Sequence, residues 1–272
     1  MINIANGPLA SIIITNYNKS NFLLDSVKSS LNQTYKKNEI IFFDDKSTDN
    51  SLNIIKNFKI KNNYKLKIIT NLKKKKSFAT YNHISAVIKS LTKAKGKYIF
   101  LLDSDDYFHQ DKLKEIIKKF EKNKKCKFIL DQPILKYRKK EIKKFFLHSL
   151  PKNKWPKFPP TSCMCFEKKT LKNVLKKISF KKFPNLAIDF RLAVYYSLIL
   201  KQFFIHKSHL TFYRQVEESM DSKYIKYRSK EWWKRRQEAF EFLNLILKKN
   251  KLPINKGLDF FVTRLFNKII SI

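Results

Sequence analysis

The chain has 272 residues, 43% of them hydrophobic, which is enough for one substantial α/β core and too much for a disordered polycation. Its 59 basic residues stand against 22 acidic ones, a net charge of +37 that is almost all lysine. A field of that size draws anionic partners, yet the lysines are scattered over many elements rather than held in one tail. Together with abundant Ile, Asn and Phe and only three Gly, this equally fits a coding sequence biased toward A and T. The three cysteines, Cys126, Cys163 and Cys165, give neither a disulfide framework nor zinc-site spacing and fit a reducing compartment. No signal peptide is expected in residues 1–8, and no apolar run reaches the roughly 18 residues that span a bilayer. The expectation is a cytoplasmic protein, soluble or peripheral.

Short apolar runs without alternation fit strands buried on both faces. The first, residues 9–15, ends in Thr15, Asn16, Tyr17 and Asn18, and a helix follows over 21–32. The second, 39–44, closes on Asp44-Asp45 before Lys46-Ser47-Thr48-Asp49, with a helix over 49–61. A strand at Leu66–Thr70 leads through the tetralysine run Lys73 to Lys76 into a helix over 78–93. The strand 98–102 then delivers Asp103-Ser104-Asp105-Asp106, ahead of a helix over 111–122. Alternating strands and helices imply right-handed crossovers and a mostly parallel sheet, whose carboxyl edge is where such folds bind ligands. Three carboxylates in four residues repel one another unless a cation compensates them. On an extended chain Asp103 and Asp105 point the same way, which suits a divalent ion gripping a phosphate. The alternative is a helix N-terminus, where Asp is favoured as a cap.

Beyond residue 125 the pattern turns β-rich and irregular. Strands are expected at 128–134 and 161–167, helices at 170–178 and 187–200, and short strands near 203–206 and 210–214. Pro151, Pro156, Pro159 and Pro160 punctuate the linker. Two helices, Lys230–Lys249 and Leu258–Ile270, are expected to pack on the rest of the chain. Trp232 and Trp233 beside Lys234, Arg235 and Arg236 also suit an anionic membrane surface.

The segments Ser11-Ile-Ile-Ile-Thr15-Asn-Tyr17-Asn-Lys, Ser29-Ser-Leu-Asn-Gln33-Thr34-Tyr35 and Glu39-Ile-Ile-Phe-Phe-Asp44-Asp45-Lys-Ser47-Thr-Asp49 occur in that order. Gly96-Lys-Tyr98-Ile99 and Leu101-Leu-Asp103-Ser-Asp105-Asp106 follow them. Together they resemble the family 2 glycosyltransferases of the GT-A fold, the last segment being similar to that family's DxD. The resemblance covers residues 9–112 and continues more faintly to about 214. It implies an α/β fold with a Rossmann-like, mostly parallel sheet and a C-terminal helical appendage. Residues 1–214 would form the catalytic domain, 1–125 for the nucleotide sugar and 126–214 for the acceptor, with 215–272 as a helical extension.

The implied activity is metal-assisted, inverting transfer from a UDP- or TDP-type sugar to a hydroxyl of a glycan or lipid-linked acceptor. Cell-surface polysaccharide or lipopolysaccharide synthesis on the cytoplasmic face of the inner membrane is the implied setting. By the same resemblance Asp105 ligates Mn²⁺ or Mg²⁺, with Asp103 supporting the ion or touching the ribose. Thr15 and Tyr17 line the base pocket, and Asp45 accepts from a base N–H, which favours a pyrimidine. Arg214 reaches the diphosphate or pairs with Glu217 or Glu218, and Asp189 is the general base. Ile188 stands where many relatives carry an acidic neighbour of that base. Asp189 also reads as a helix cap or a partner of Arg191, and Asp106 as a further site carboxylate or the cap of the helix near 111. Asp44 reads as a structural partner buried at the sheet edge, and Pro160-Thr161-Ser162-Cys163 as acceptor wall. No role falls to the five histidines, which lack metal-binding spacing. Two other readings stand beside this one: a basic nucleic-acid-binding protein, and a GT-A-like scaffold without turnover. Against nucleic acid, no recognised motif appears, and a carboxylate-lined edge repels phosphate unless a cation intervenes.

Overall fold

The computed structural model describes residues 7–62, 66–71, 78–146, 158–178, 180, 182–216, 228–254 and 256–270. The tetralysine run, Pro151, Pro156, Glu217 and Glu218 lie outside them.

Four parallel strands form one half of the sheet: β1 (Ala10–Asn16), β2 (Asn38–Asp44), β3 (Leu66–Thr70) and β4 (Tyr98–Asp103), in the order β3-β2-β1-β4. Helices α1 (Leu23–Leu31), α2 (Ser51–Asn62) and α3 (Ala79–Lys93) connect them. β5 (Tyr107–Phe108) and α4 (Lys112–Lys122) come next, followed by β6 (Phe128–Lys136) and β7 (Glu141–Lys143). A 3₁₀ turn at Thr161–Cys163 leads into β8 (Met164–Glu167), α5 (Lys168–Lys177), α6 (Ile188–Val194) and β9 (Phe203–Arg214). The sheet continues from β4 through antiparallel β8 to β6, β9 and β5, and β7 pairs with β6.

Side chains alternate between the two faces of the strands, as the pleat requires. Ile12, Ile14, Ile40, Phe42, Phe100 and Leu102 pack with α1, α2 and α4. Ile13, Ile41, Ile99 and Leu101 pack with α3, α5 and α6. Both faces are covered, which is why these strands read as unbroken apolar runs. Gly96 lets the chain enter β4 beside β1. A Cβ there would stand 2.5 Å from the Ser11 backbone nitrogen, and the Gly96 N–H donates to Ser11 Oγ at 2.8 Å.

The structure differs from the sequence reading in three places. The strand expected at 161–167 begins only at Met164, because Thr161–Cys163 turn as a 3₁₀ helix in which Cys163 N donates to Pro160 O. The segments 203–206 and 210–214 are one strand. The interruption between them is a register shift against β6, where Leu130 pairs with Ile205 and Gln132 with His209. Pro133, which cannot donate to a ladder, sits at the second shift. The helix expected at 187–200 is α-helical only to Val194 and continues as a π-turn, Tyr195–Leu200, ended by Lys201 in the left-handed region at φ 52°.

The last two helices, α7 (Lys230–Lys249) and α8 (Leu258–Ile270), form a hairpin. Through Ala239, Phe242, Leu243 and Ile246, α7 completes the core on the α5–α6 side. Its N-cap is Ser229, whose hydroxyl accepts from the Trp232 N–H at 3.2 Å. Cys126, Cys163 and Cys165 are free and buried. Among the described residues no helix is long and apolar enough to cross a membrane.

Candidate active site

The parallel strands end together. Thr15 is the register partner of Asp103, and Asn16 of Asp44. Backbone bonds carry the ladders one residue further, from Asp45 N to Asn16 O (2.8 Å), Ser104 N to Thr15 O (3.0 Å) and Asn71 N to Asp44 O (2.9 Å). Over this edge opens a cavity of about 330 Å³ lined by the ends of β1, β4 and β9, the turns after β1, β2 and β4, the 3₁₀ turn, α3 and the start of α6. Thr15, Tyr17, Asp45, Asp103, Asp105, Asp189 and Arg214, all singled out in the sequence, line that one space.

Asp44 is fully buried, accepting from Asn16 Nδ2 (2.9 Å), Ser47 Oγ (2.7 Å) and Ser47 N (2.9 Å). It fixes the turn after β2 so that its neighbour Asp45 faces the cavity. Asp45 Oδ1 accepts from Asn71 Nδ2 at 2.7 Å, and Asn71 is held in turn by Lys89 Nζ at 2.8 Å. Tyr17, half exposed, stands at the mouth.

The DxD segment is tied down by partners distant in sequence. Asp103 Oδ1 accepts from Thr15 Oγ1 at 2.9 Å and lies 3.0 Å from His83 Nε2. Burial pushes the Asp103 carboxyl up, but the charge and contact of His83 outweigh it, aided by Thr15 and Lys19, and the net shift is down. His83 moves the other way: burial disfavours its charge, Asp103 outweighs burial, and the imidazole is raised above its ordinary value. Asp105 Oδ2 lies 3.1 Å from Lys19 Nζ. Burial, joined by the Asp103 charge, still leaves the Asp105 carboxyl raised against the pull of Lys19.

Asp106 does not cap the following helix, whose N-cap is Asp111. It is buried, accepting from Ser162 Oγ (2.5 Å) and Arg214 N (2.8 Å). Burial and the charges of Asp105 and Asp103 raise it well above the carboxylate range. Ser162 Oγ also accepts from Asp103 N at 3.0 Å, so the 3₁₀ turn clamps the acidic segment at two points. Beneath it lies a wholly buried ion pair, Lys112 Nζ to Asp131 Oδ1 at 2.8 Å. The same ammonium donates to Ser162 O and Thr211 Oγ1, each at 2.6 Å.

Arg214 closes the far side. Its Nη1 donates to Asp105 O at 3.0 Å, its Nη2 pairs with Asp25, and its guanidinium stacks 4.8 Å from the Tyr107 ring. Asp189 sits in the first turn of α6, where Oδ1 accepts from Phe190 N at 2.6 Å. Arg191 turns into the protein, donating from Nε to Leu186 O at 3.0 Å and from Nη2 to Phe183 O. Burial lowers it to about 10, eased by the charge of Glu238.

Sequence reasoning missed His83 and Lys19, and it placed Ser162 in an acceptor wall rather than as the clamp of the acidic segment. For His83 a signal existed: Ala79, Asn82, His83 and Ala86 fall at positions i, i+3, i+4 and i+7, the spacing of one helix face, and all four line the cavity. Nothing local marks Lys19, or ties Ser162 to the acidic segment.

The arrangement has hard oxygen donors and an excess of carboxylate. Asp45, Asp103, Asp105 and Asp189 face Lys19, His83 and Arg214. No group of three or more His, Cys, Asp or Glu at metal-holding spacing occurs among the described residues. Mg²⁺ and Mn²⁺ do not need one, because one or two carboxylates suffice where phosphate oxygens and water complete the shell. The Lys19 ammonium already stands against Asp105 as a stand-in cation. The donor set therefore fits a divalent ion.

The fold is that of the GT-A transferases. A mannosyltransferase from Pyrobaculum calidifontis, solved with GDP-Man and Mn²⁺, matches it with a TM-score of 0.60, covering 92% of this chain and 67% of that one at 12% identity. Residues 11–192 match the family described as Glycosyl transferase family 2, and the chain belongs to that family. An uncharacterized glycosyltransferase of Haemophilus influenzae is 42% identical over 113 residues, 40% of this chain and 41% of its own. The Escherichia coli UDP-Glc:alpha-D-GlcNAc-diphosphoundecaprenol beta-1,3-glucosyltransferase WfaP is 40% identical over 111 residues, 39% of this chain and 38% of its own. The chain thus spans about two fifths of the length of these curated relatives.

Proposed function

We propose that the protein transfers a sugar from a UDP- or TDP-type donor to a hydroxyl of a glycan or lipid-linked acceptor, with inversion at the anomeric carbon. The observation that carries this reading is that Asp189 of α6 lines the same cavity as Asp103 and Asp105 of β4 and its turn. A base and a leaving-group site facing one space are what a direct displacement requires. WfaP, named for a UDP-glucose donor and an undecaprenol-linked acceptor, supports this choice of substrates.

Tyr17 stacks on the base, and Asp45, held by Asn71, accepts from a base N–H. Thr15 lines the base pocket beside Tyr17, and Asp103 contacts the ribose. Arg214 and Lys19 supply positive charge to the diphosphate. Asp105 and Asp103 would hold Mn²⁺ or Mg²⁺, which when bound serves as a Lewis acid for the leaving diphosphate. Asp189 takes the proton of the acceptor hydroxyl as its oxygen bonds to the anomeric carbon and the bond from that carbon to the diphosphate oxygen breaks. The nucleoside diphosphate leaves with the electron pair. Residues 1–214 carry this chemistry, and α7 of the C-terminal extension backs α6. Polysaccharide or lipopolysaccharide synthesis on the cytoplasmic face of the inner membrane is the setting that fits a lipid-linked acceptor.

The test is a thermal shift across nucleoside diphosphates and their sugar conjugates, with and without Mn²⁺. At a hundredfold excess over Kd a ligand adds about 2.7 kcal/mol of stability. A shift with a uridine or thymidine diphosphate that needs metal, and that disappears in Asp105→Ala, is expected. No shift with any nucleotide, but a salt-sensitive one with DNA or RNA, would overturn the reading. Donor binding without sugar release would leave a scaffold without turnover.

A further inference from the structure

Helix α8 leaves an apolar stripe on its outer side, away from α7. Its side toward α7 is tied by polar contacts: Asp259 pairs with Arg236 at 2.9 Å, Thr263 Oγ1 accepts from Arg236 Nε at 3.1 Å, and Asn267 Nδ2 donates to Trp233 O at 2.9 Å. Phe260 and Phe266 add ring contacts to Phe240 and Trp233 of α7. The outer side is apolar. Leu258, Phe261, Leu265 and Ile269 recur at spacings of three and four, one stripe along the helix, and each is between 53% and 81% exposed. Leu252 and Ile254, also exposed, extend the apolar surface into the connection from α7. Arg264 and Lys268, both exposed, border the stripe on one flank.

A surface helix ordinarily turns its apolar face to the core, because each buried leucine or phenylalanine side chain is worth about 1.5–3 kcal/mol. Here Arg236, Thr263 and Asn267 hold the opposite face down. The outward stripe needs an apolar partner, and the net charge of +37 narrows the choice. A second copy of the chain brings the same field and is repelled. Nucleic acid satisfies the charge and leaves the apolar stripe in water. An anionic bilayer satisfies both, with acyl chains against the stripe and headgroups against the flanking cations.

We propose that α8 lies in the interface of an anionic bilayer, with Leu258, Phe261, Leu265 and Ile269 buried below the headgroups. The inference rests on the lipid-linked-acceptor reading above only for its purpose, since the packing of α8 stands without it.

The test uses the full chain and Phe261→Ser/Leu265→Ser/Ile269→Ser, which leaves every charge in place. Each is sedimented with vesicles of phosphatidylcholine alone and of phosphatidylcholine with about one third phosphatidylglycerol. The wild type should pellet with the anionic vesicles only, and the triple variant should bind them at least about tenfold more weakly with an unchanged melting temperature. Equal pelleting of the two proteins would overturn the proposal, because the lysine field alone would then carry the binding. A wild type that stays in the supernatant would overturn it too, as would a stable dimer that the triple variant dissociates. The response of both proteins to uridine diphosphate with Mn²⁺ is read separately, so a failed donor reading and a failed docking surface give different results.

Discussion

The strand-end edge and the C-terminal helix hairpin use polar residues in opposite ways. At the edge, the carboxyl groups of Asp44, Asp103 and Asp106 are each held by hydrogen-bond or charge partners from another strand or turn. In the hairpin, Arg236, Thr263 and Asn267 pin α8 by its polar face and leave an apolar stripe outside. One region spends its polar groups on holding the carboxylates of the strand-end edge and the other on presenting a surface. Buried polar groups fix geometry at a cost in stability, so the edge should respond to substitution through chemistry and folding, and the hairpin through binding.

The largest effect is expected at Asp189. Asp189→Asn keeps the shape and removes the base, and general-base catalysis contributes about 10²–10⁴-fold. Turnover should fall by that factor while the thermal shift with donor is kept; full transfer by the variant would remove Asp189 from the chemistry. Next comes the pair beneath the acidic segment. Lys112→Met leaves Asp131 charged and buried without its cation, which costs about 3–5 kcal/mol. Denaturant unfolding should register most of that loss, and Lys112→Met with Asp131→Leu should recover much of it. If Lys112→Met were as stable as the wild type, the edge would not depend on its buried charges, and the contrast with the hairpin would break.

How legible each region was follows from how far apart its partners lie in sequence. The strand ends were readable because an apolar run and the polar residues after it are contiguous, so Thr15, Asp45, Asp103 and Asp105 announced one edge. The hands that hold them were not. Ser162 lies 56 residues from Asp106, and Lys112 lies 99 from Thr211, with no local pattern to join them. His83 could have been found from the helical spacing of Ala79, Asn82 and Ala86, but its meeting with Asp103 depends on how α3 packs on the sheet. The same limit governs α8. Its stripe is plain in the sequence, and packing against the catalytic domain is its natural reading. Only the contacts of Asp259, Thr263 and Asn267 reveal that the other face is the one that docks.

The smallest effect is the most informative about how the two regions communicate. Glu238 of α7 accepts from the Asn185 N–H at 2.8 Å and from Asn185 Nδ2 at 2.6 Å, four residues before Asp189. Burial raises its carboxyl above the ordinary value, against the pull of Asn185 and the Arg191 charge. Glu238→Ala removes both of these bonds to Asn185, a loss of about 1–3 kcal/mol in stability. The segment from Phe183 to Ile188 then loses its anchor, and with it the aim of Asp189. A misplacement of about 1 Å can cost about 10²-fold in rate, so kcat should fall by tenfold or more while donor affinity, set by β1, β2 and β4, stays put. Glu238→Gln keeps one acceptor and should recover part of kcat. A variant that lost donor affinity and kcat together would mean that α7 supports the whole cavity, and the two regions would have to be treated as one.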